Sequence, residues 1–478
     1  MPAPVAHLVR RPLDHCRRPD HHDPDRDGRG APSNEPHRQE HCEHRRDGPA
    51  TGHKGLHRHR NRPDRIGRAG LCVTRVPSTR AGLRAVLAHP GYRRLWSART
   101  VSQAGDVFAT VALSLLVLDL TGSPLGVSAV VFAEIVPVLA LAPLAGTVVD
   151  RLPRVAVMVA ADVWRAALAA SLIFLGHNVV AVYMIAFGLS VGAVLFNPAA
   201  NSALPSLVTD TELVAANSGI WTAAVLAQIA LAPLAGILYA ALGAAPAFGI
   251  NAASFALSAL VLVGLRLPAI PAPTRRRGFF TDAATGVRLL ATDRLLRALG
   301  AGQLLAALSA GATSALLVVL ARDHLALPPG GYGLLLGAIG IGAALGPFLL
   351  TRLVDDPRRP VFVFGPYVLR GLVDIALAGF TALPVALVGL AAYGLGTSSG
   401  AVTFNSLLQA HTPEHARGRI FASFDLLWQL GRLISLLIGG AVAATLGVQA
   451  VYYLGAVLLL LAASIGWTGT RAIAAPAS

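Results

Sequence analysis

Residues 126–154 read GVSAVVFAEIVPVLALAPLAGTVVDRLPR. From Gly126 to Val149 the only ionisable side chain is Glu134. The run is long enough to cross a hydrocarbon core, which takes about 20 predominantly apolar residues. It ends abruptly at Asp150-Arg151-Leu152-Pro153-Arg154, a charged turn with a helix-breaking proline. This is the pattern of a membrane helix meeting an aqueous face, with one carboxyl group left at membrane depth.

The same pattern recurs on both sides. Apolar runs near 95–118, 155–176, 179–203, 216–240 and 245–265 join 126–149 to make six spans. Six more lie near 298–321, 331–351, 360–380, 384–408, 421–444 and 448–468. Basic residues fall in alternate gaps: Arg151 and Arg154, then Arg266 to Arg297, then Arg352, Arg358 and Arg359, then Arg417 and Arg419. The other gaps hold almost none, with Arg322 the main exception. The positive-inside rule then puts the Arg-bearing gaps and both termini in the cytoplasm. The expected fold is an all-α membrane protein of twelve transmembrane helices.

Composition agrees. Apolar residues make up 54% of the chain and charged residues 14%, against roughly 45–50% and 25% in soluble domains. Of the 40 Lys/Arg and 25 Asp/Glu residues, 26 precede Val76, so the rest of the chain is poorer still in charge. The formal charge of +15 could point to nucleic acid. However, the basic residues cluster in alternate loops rather than on one face, and that reading fails.

Residues 1–78 have a different composition, rich in Arg, His, Pro, Asp and Gly, which predicts a disordered basic tail. The tail holds all three cysteines (Cys16, Cys42, Cys72) and ten of the fifteen histidines. His15-Cys16 and His41-Cys42-Glu43-His44 have ligand chemistry but not the spacing of a zinc module, so no metal site is assigned. The single lysine, Lys54, among many arginines suggests a GC-rich genome, and a start near Val73 or Val76 is expected. Beyond the tail, the boundaries are 79–266 for one six-helix bundle, 267–296 for a cytoplasmic linker, 297–470 for a second bundle and 471–478 for a short tail.

The two bundles read as copies. At an offset of 205, Asp150 meets Asp355, Arg154 meets Arg359 and Arg165 meets Arg370; Phe196-Asn197 answers Phe404-Asn405 at 208. Two pseudo-symmetric six-helix bundles with a midplane site between them form a known transporter plan, complete in one chain, so a monomer is expected.

Gly146-Thr-Val-Val-Asp150-Arg151-Leu-Pro-Arg154 resembles the signature loop of the major facilitator superfamily. The resemblance implies that Gly146 lets helices approach closely and that Asp150, Arg151 and Arg154 latch the cytoplasmic face. The second half keeps Asp355 and Arg359, with Thr351 for the glycine and Asp356 for the first arginine. Gly105-Asp106, Thr121-Gly122-Ser123, Asn197-Pro198-Ala199, Leu204 to Val208 and Ala216-Asn217-Ser218 are similar to drug:proton antiporters of the macrolide- and siderophore-exporter type. Ala232-Pro233-Leu234-Ala235-Gly236 resembles the antiporter motif, with Ala232 where glycine is usual. The likeness covers about residues 90–468 and implies proton-driven efflux.

Ionisable groups at membrane depth are functional candidates, because each is costly there. Glu134, mid-span and without a nearby Arg in sequence, is the first candidate for proton coupling, and Asp106 the second. Asp162 with Arg165, and Arg370 with Asp374, share helix faces near the cytoplasmic ends and are expected to act as latch residues. Span 11 carries Asp425 and Arg432 two turns apart. Gln103, Gln228, Asn251, Gln303, Tyr393, Asn405 and Trp428 are candidates for lining a substrate cavity. With so little charge, that cavity suits a lipophilic or amphipathic small molecule. No G-x-x-x-x-G-K-[ST] loop occurs, no cofactor is implied, and no catalytic constellation stands out. The expected activity is proton antiport across the cell membrane, with import by the same fold as the alternative.

Overall fold

A Pro or Gly sits at most of the turns between apolar runs, and each run becomes one helix. The structure, a computed structural model, describes residues 79–267, 288, 291–354, 356, 360–412 and 416–474. The tail, most of the linker, Asp355 and Arg359 lie outside the described residues. Helix α1 (Thr79–Ala88) precedes twelve helices long and apolar enough to span a membrane. They are α2 (Pro90–Thr121), α3 (Pro124–Arg151), α4 (Arg154–Leu175), α5 (Val179–Ala203), α6 (Leu213–Leu242) and α7 (Ala245–Val263). Then come α8 (Arg294–Ala315), α9 (Pro329–Leu353), α10 (Pro360–Gly379), α11 (Leu383–His411), α12 (Arg417–Leu446) and α13 (Val448–Ala474).

Three boundaries differ from the sequence reading by five residues or more. Helix α2 starts at Pro90, because Tyr92 and Leu95 are buried and Tyr92 donates to the Ala216 carbonyl (2.9 Å). Helix α8 stops at Ala315 and the chain continues through a short turn into a π-helical segment, Leu320–His324. Helix α13 runs on to Ala474. Helix α1, unforeseen because it is too short to span, rests on α6, where Leu83 meets Gly219.

Turn chemistry accounts for the Thr121-Gly122-Ser123 motif. Gly122 takes a left-handed φ of 58° and caps α2 through its N–H to the Leu118 carbonyl. Ser123 accepts the Leu125 N–H (3.2 Å) and Pro124 opens α3. Prolines inside helices free carbonyls that other helices answer. Pro366 leaves the Phe362 carbonyl unbonded in α10, and Thr403 of α11 donates to it at 2.8 Å.

Helix packing repeats the duplication. In the first half α2 packs on α6 and α7, α4 on α5 and α7, and α3 on α5. Adding six to each label gives α8 on α12 and α13, α10 on α11 and α13, and α9 on α11, all of which are found. The halves meet through α6 with α9 and α3 with α12, a pair that the same shift exchanges. The two bundles are therefore pseudo-symmetric in their contacts as well as in sequence.

The end carrying α1, the α3–α4 turn and the α9–α10 turn is called proximal below, and the opposite end distal. Along α6 and α9 the backbones themselves touch. A methyl group at Gly333 would overlap the Ala232 carbonyl oxygen, and one at Gly236 would stand 2.7 Å from the Pro329 carbonyl oxygen. Toward the proximal side this seam continues through Gly337 against Pro233 to Gly340 against Ile229 and Gln228. Across α3 and α12, Gly440 meets Ser128 and Leu125, and Ile135, Ala315 and Leu436 form one apolar cluster. Ser128 and Gly330 lie within two turns of the distal helix ends, so the seam is a distal one.

Gly333→Ala should therefore force backbone from backbone and cost about 1–3 kcal/mol. Gly365→Ala, where a methyl group meets nothing within 4 Å, should instead be neutral or stabilising by up to about 1 kcal/mol. Thermal unfolding of the two purified variants beside the wild type checks this opposition in sign.

Candidate functional site

Helix α3 brings Glu134 to the seam. Ten residues separate it from Pro124, a rise of about 15 Å, half of a hydrocarbon core about 30 Å thick. The side chain is half-buried. Its neighbour Ile135 is locked in the α3–α12 cluster, and Ser190 of α5 donates to the Glu134 backbone carbonyl. The carboxyl is within electrostatic reach of Arg432 on α12 and Asp106 on α2. Tyr332 of α9 is within electrostatic reach of the same carboxyl and faces Ser114 of α2 across the seam. Arg432 also contacts Gln429 (3.5 Å) and lies within reach of Tyr393. Asp425 is exposed, so the Asp425–Arg432 spacing on α12 does not make a pair.

Asp106 is half-buried on α2 beside Gly105. A methyl group at Gly105 would overlap Ser254 and stand 2.8 Å from the Asn251 side-chain oxygen, so α7 packs directly on α2 here. Asn251 is 2% exposed in that contact. It takes part in the α2–α7 packing. Asp106 lies within reach of Arg165 and Asp162.

The four expected end-of-helix charges are not at the ends. Asp162 is fully buried and Arg165 is 5% exposed. They form an ion pair on α4, and Asp162 also accepts from Ser258 of α7 at 2.6 Å. The Arg165 guanidinium lies over Phe196 (4.7 Å) and Phe255 (4.2 Å). Arg370, 5% exposed, donates to the Tyr393 hydroxyl at 2.8 Å and lies over its ring at 4.6 Å. Asp374 is 1% exposed on the next turn of α10. Each set ties helices within one half. Their side chains start about 12 Å or more inside the proximal helix ends and do not reach the interface between halves.

Gly146 lies apart from that seam. A methyl group there would meet nothing within 4 Å among the described residues. The contacts between halves described above sit at the distal end, and Gly146 is at the proximal end. Asp150 and Arg151 close α3 there, with Arg151 exposed, and Arg154 opens α4. Ala232, Pro233 and Gly236 lie in the α6–α9 seam with Gln228. Gln103 is half-buried on α2. Gln303 accepts from Tyr367 (3.5 Å), Asn405 donates to the Ala401 carbonyl (2.8 Å), and Trp428 packs into the cluster around Phe404 and Phe424.

One feature explains the odd arginine of the distal loops. Arg322, just after α8, forms an ion pair with Asp119 at the end of α2 (2.9 Å), and Asp119 also accepts from Tyr239 of α6 (2.6 Å). The pair joins the two halves at the distal end. Sequence reasoning flagged Arg322 as an exception but missed Asp119 and Tyr239, since the partners are 203 and 120 positions apart. Tyr332 was missed as well, an aromatic hidden among the glycines of α9.

The match to a family model for a transmembrane secretion effector extends over residues 81–472. The chain belongs to this family of the major facilitator superfamily. It is a transporter, not an enzyme. The "Multidrug efflux pump Tap" of Mycobacterium tuberculosis (strain H37Rv) is 30% identical over 394 residues, covering 80% of this chain and 92% of that protein. "Macrolide efflux protein A" of Streptococcus pyogenes is 20% identical over 387 residues, covering 78% and 94%. A bacterial homologue of the iron transporter ferroportin, solved in its inward-facing state, superposes with a TM-score of 0.64 at 21% identity, covering 79% and 98%. That likeness establishes the shared fold.

Asp119 and Arg322 are about half exposed (51% and 49%), so their pair is worth roughly 0.2–1 kcal/mol. Asp119→Asn in this superfamily transporter should open the distal seam more often, by up to roughly fivefold. Maleimide labelling of Ser114→Cys, in a chain with Cys16, Cys42 and Cys72 replaced by serine, should rise accordingly. High salt should raise the wild type toward the variant.

Proposed function

We propose that the chain exports a lipophilic or amphipathic small molecule from the cell in exchange for protons, rocking its two halves about the central seam. The observation that carries this reading is Glu134, a membrane-depth carboxyl whose field partner, Arg432, belongs to the opposite half. A relative named as a multidrug efflux pump and another named as a macrolide efflux protein support export as the direction. The proximal end, with its many arginines, is the cytoplasmic one by the positive-inside rule.

The exchange follows from elementary electrostatics. A cation beside a carboxyl favours the ionised form, and its withdrawal favours proton uptake. With the distal seam closed, Glu134 stands beside Arg432 and gives its proton to the cytoplasm while substrate enters from the same side. When the distal seam parts, α3 and α12 separate, Arg432 withdraws, and Glu134 takes a proton from outside as substrate leaves. Asp106, beside Glu134, is the second proton group. Gly146 and the Asp150–Arg154 turn close the proximal end in that second state, which is where Gly146 gains a packed neighbour. One chain holds both halves and acts as a monomer.

Proteoliposomes with an internal pH dye, challenged with lipophilic cations and macrolides, test this. The wild type moves protons against substrate, while Glu134→Gln abolishes proton movement and remains folded. Substrate crossing without protons would end the antiport reading, and protons moving with substrate would make the protein an importer.

A further inference from the structure

The second half contains a carboxyl group that the exchange above does not use. Asp374 is 1% exposed on α10, and neither of its oxygens completes a hydrogen bond of good geometry. The hydroxyl of Ser309 on α8 acts on it, and Ser309 makes no better bond elsewhere. Arg370 stands one turn away on the same face of α10 and within electrostatic reach. It is nonetheless engaged with Tyr393, by hydrogen bond (2.8 Å) and by stacking over the ring. No ion pair to Asp374 occurs among the described residues. Asp162 in the first half differs, having both an arginine and a serine hydroxyl.

Asp374 also borders a cavity of about 80 Å³, walled by Leu317, Leu336, Ile339 and Leu377 with Tyr393 and Tyr452. That space is large enough to hold water, which needs roughly 10–15 Å³ or more of it. The titratable groups around the carboxyl are Arg370 and Tyr367 from α10, Tyr393 from α11 and Tyr452 from α13; Tyr332 of α9 reaches Tyr452. Tyr452 donates to the Thr313 carbonyl (2.8 Å) and is not free to serve the carboxyl. Asp374 thus has an apolar wall, a space large enough for water and a cation held away from it by a tyrosine.

We infer that Asp374 is a further proton-carrying carboxyl, in the second half, and that Arg370 is its switch. In the state described here the O–H bond of Asp374 is intact and Arg370 rests on Tyr393. When the second half repacks, Arg370 leaves Tyr393 for Asp374, the O–H bond breaks, and the proton passes to water in the cavity. The proposal adds a site to the proton-antiport reading. The protonation it assigns does not depend on Glu134 or on any substrate.

Infrared spectroscopy of the full chain in lipid nanodiscs at pH 7 tests it without a substrate. The difference spectrum of wild type minus Asp374→Asn should contain one protonated-carboxyl C=O stretch that shifts down in D2O. The same band should appear when both proteins also carry Glu134→Gln. Its absence from a folded Asp374→Asn difference would overturn the site. Tyr393→Phe keeps the ring but removes the acceptor of Arg370, so Arg370 should turn to Asp374 and the band should vanish. A band that persists in Tyr393→Phe would overturn the switch, and this conservative variant reads the same band if the asparagine does not fold. Should Glu134→Gln leave proton flux intact while the band stands, the antiport site fails and Asp374 remains.

Discussion

The contact on which the rest depends is backbone against backbone in the α6–α9 seam. Lipid supplies no hydrophobic drive between helices, so close van der Waals packing must hold the halves together, and small residues permit it. Gly236 on one side and Gly333 on the other leave no room for even a methyl group. Such a seam contains few side-chain charges to desolvate when it opens. It is aided at its distal end by the exposed Asp119–Arg322 pair, which is weak enough to break in the proposed cycle. A tight but shallow closure of this kind suits the proposed exchange of one closed end for the other.

The charges are arranged around that requirement. Asp162 and Arg165 are buried deep in one half, paired and flanked by aromatic rings, and they stay together whatever the halves do. Glu134 and Arg432 belong to opposite halves, so the proposed parting of the seam would separate them. The duplicated arginines, Arg165 and Arg370, have diverged in what they hold. One has a carboxylate and the other a tyrosine, and this difference leaves Asp374 alone in the second half.

Much of the fold was legible in the sequence because lipid leaves few options. Apolar runs of the right length had to be helices, and arginines in alternate gaps ordered them. The 205-residue repeat predicted two bundles, and the shifted set of helix contacts agrees with it. The site was legible only in part. Glu134 and Asp106 stood out as charges in apolar sequence, but Arg432 could be read only as a neighbour of Asp425 along its own helix. The glycines at 333, 337 and 340 share a face that only the folded chain reveals as a meeting of halves. Asn251, a cavity candidate by its polarity, is buried between α2 and α7, because polarity alone does not distinguish a cavity wall from a helix contact. The pairing of Asp119 with Arg322 needed the third dimension.

The central claim is that the two ends of the bundle open in alternation about this seam. Pulsed electron–electron distance measurements between spin labels test it directly. One pair would be at Leu152 and Leu353, at the proximal ends of the two halves, and the other at His177 and Thr381, at the distal ends. Across acidic and alkaline pH in lipid, the account predicts that the proximal distance shortens as the distal distance lengthens. Two distances that stay fixed, or that change in the same direction, would contradict it.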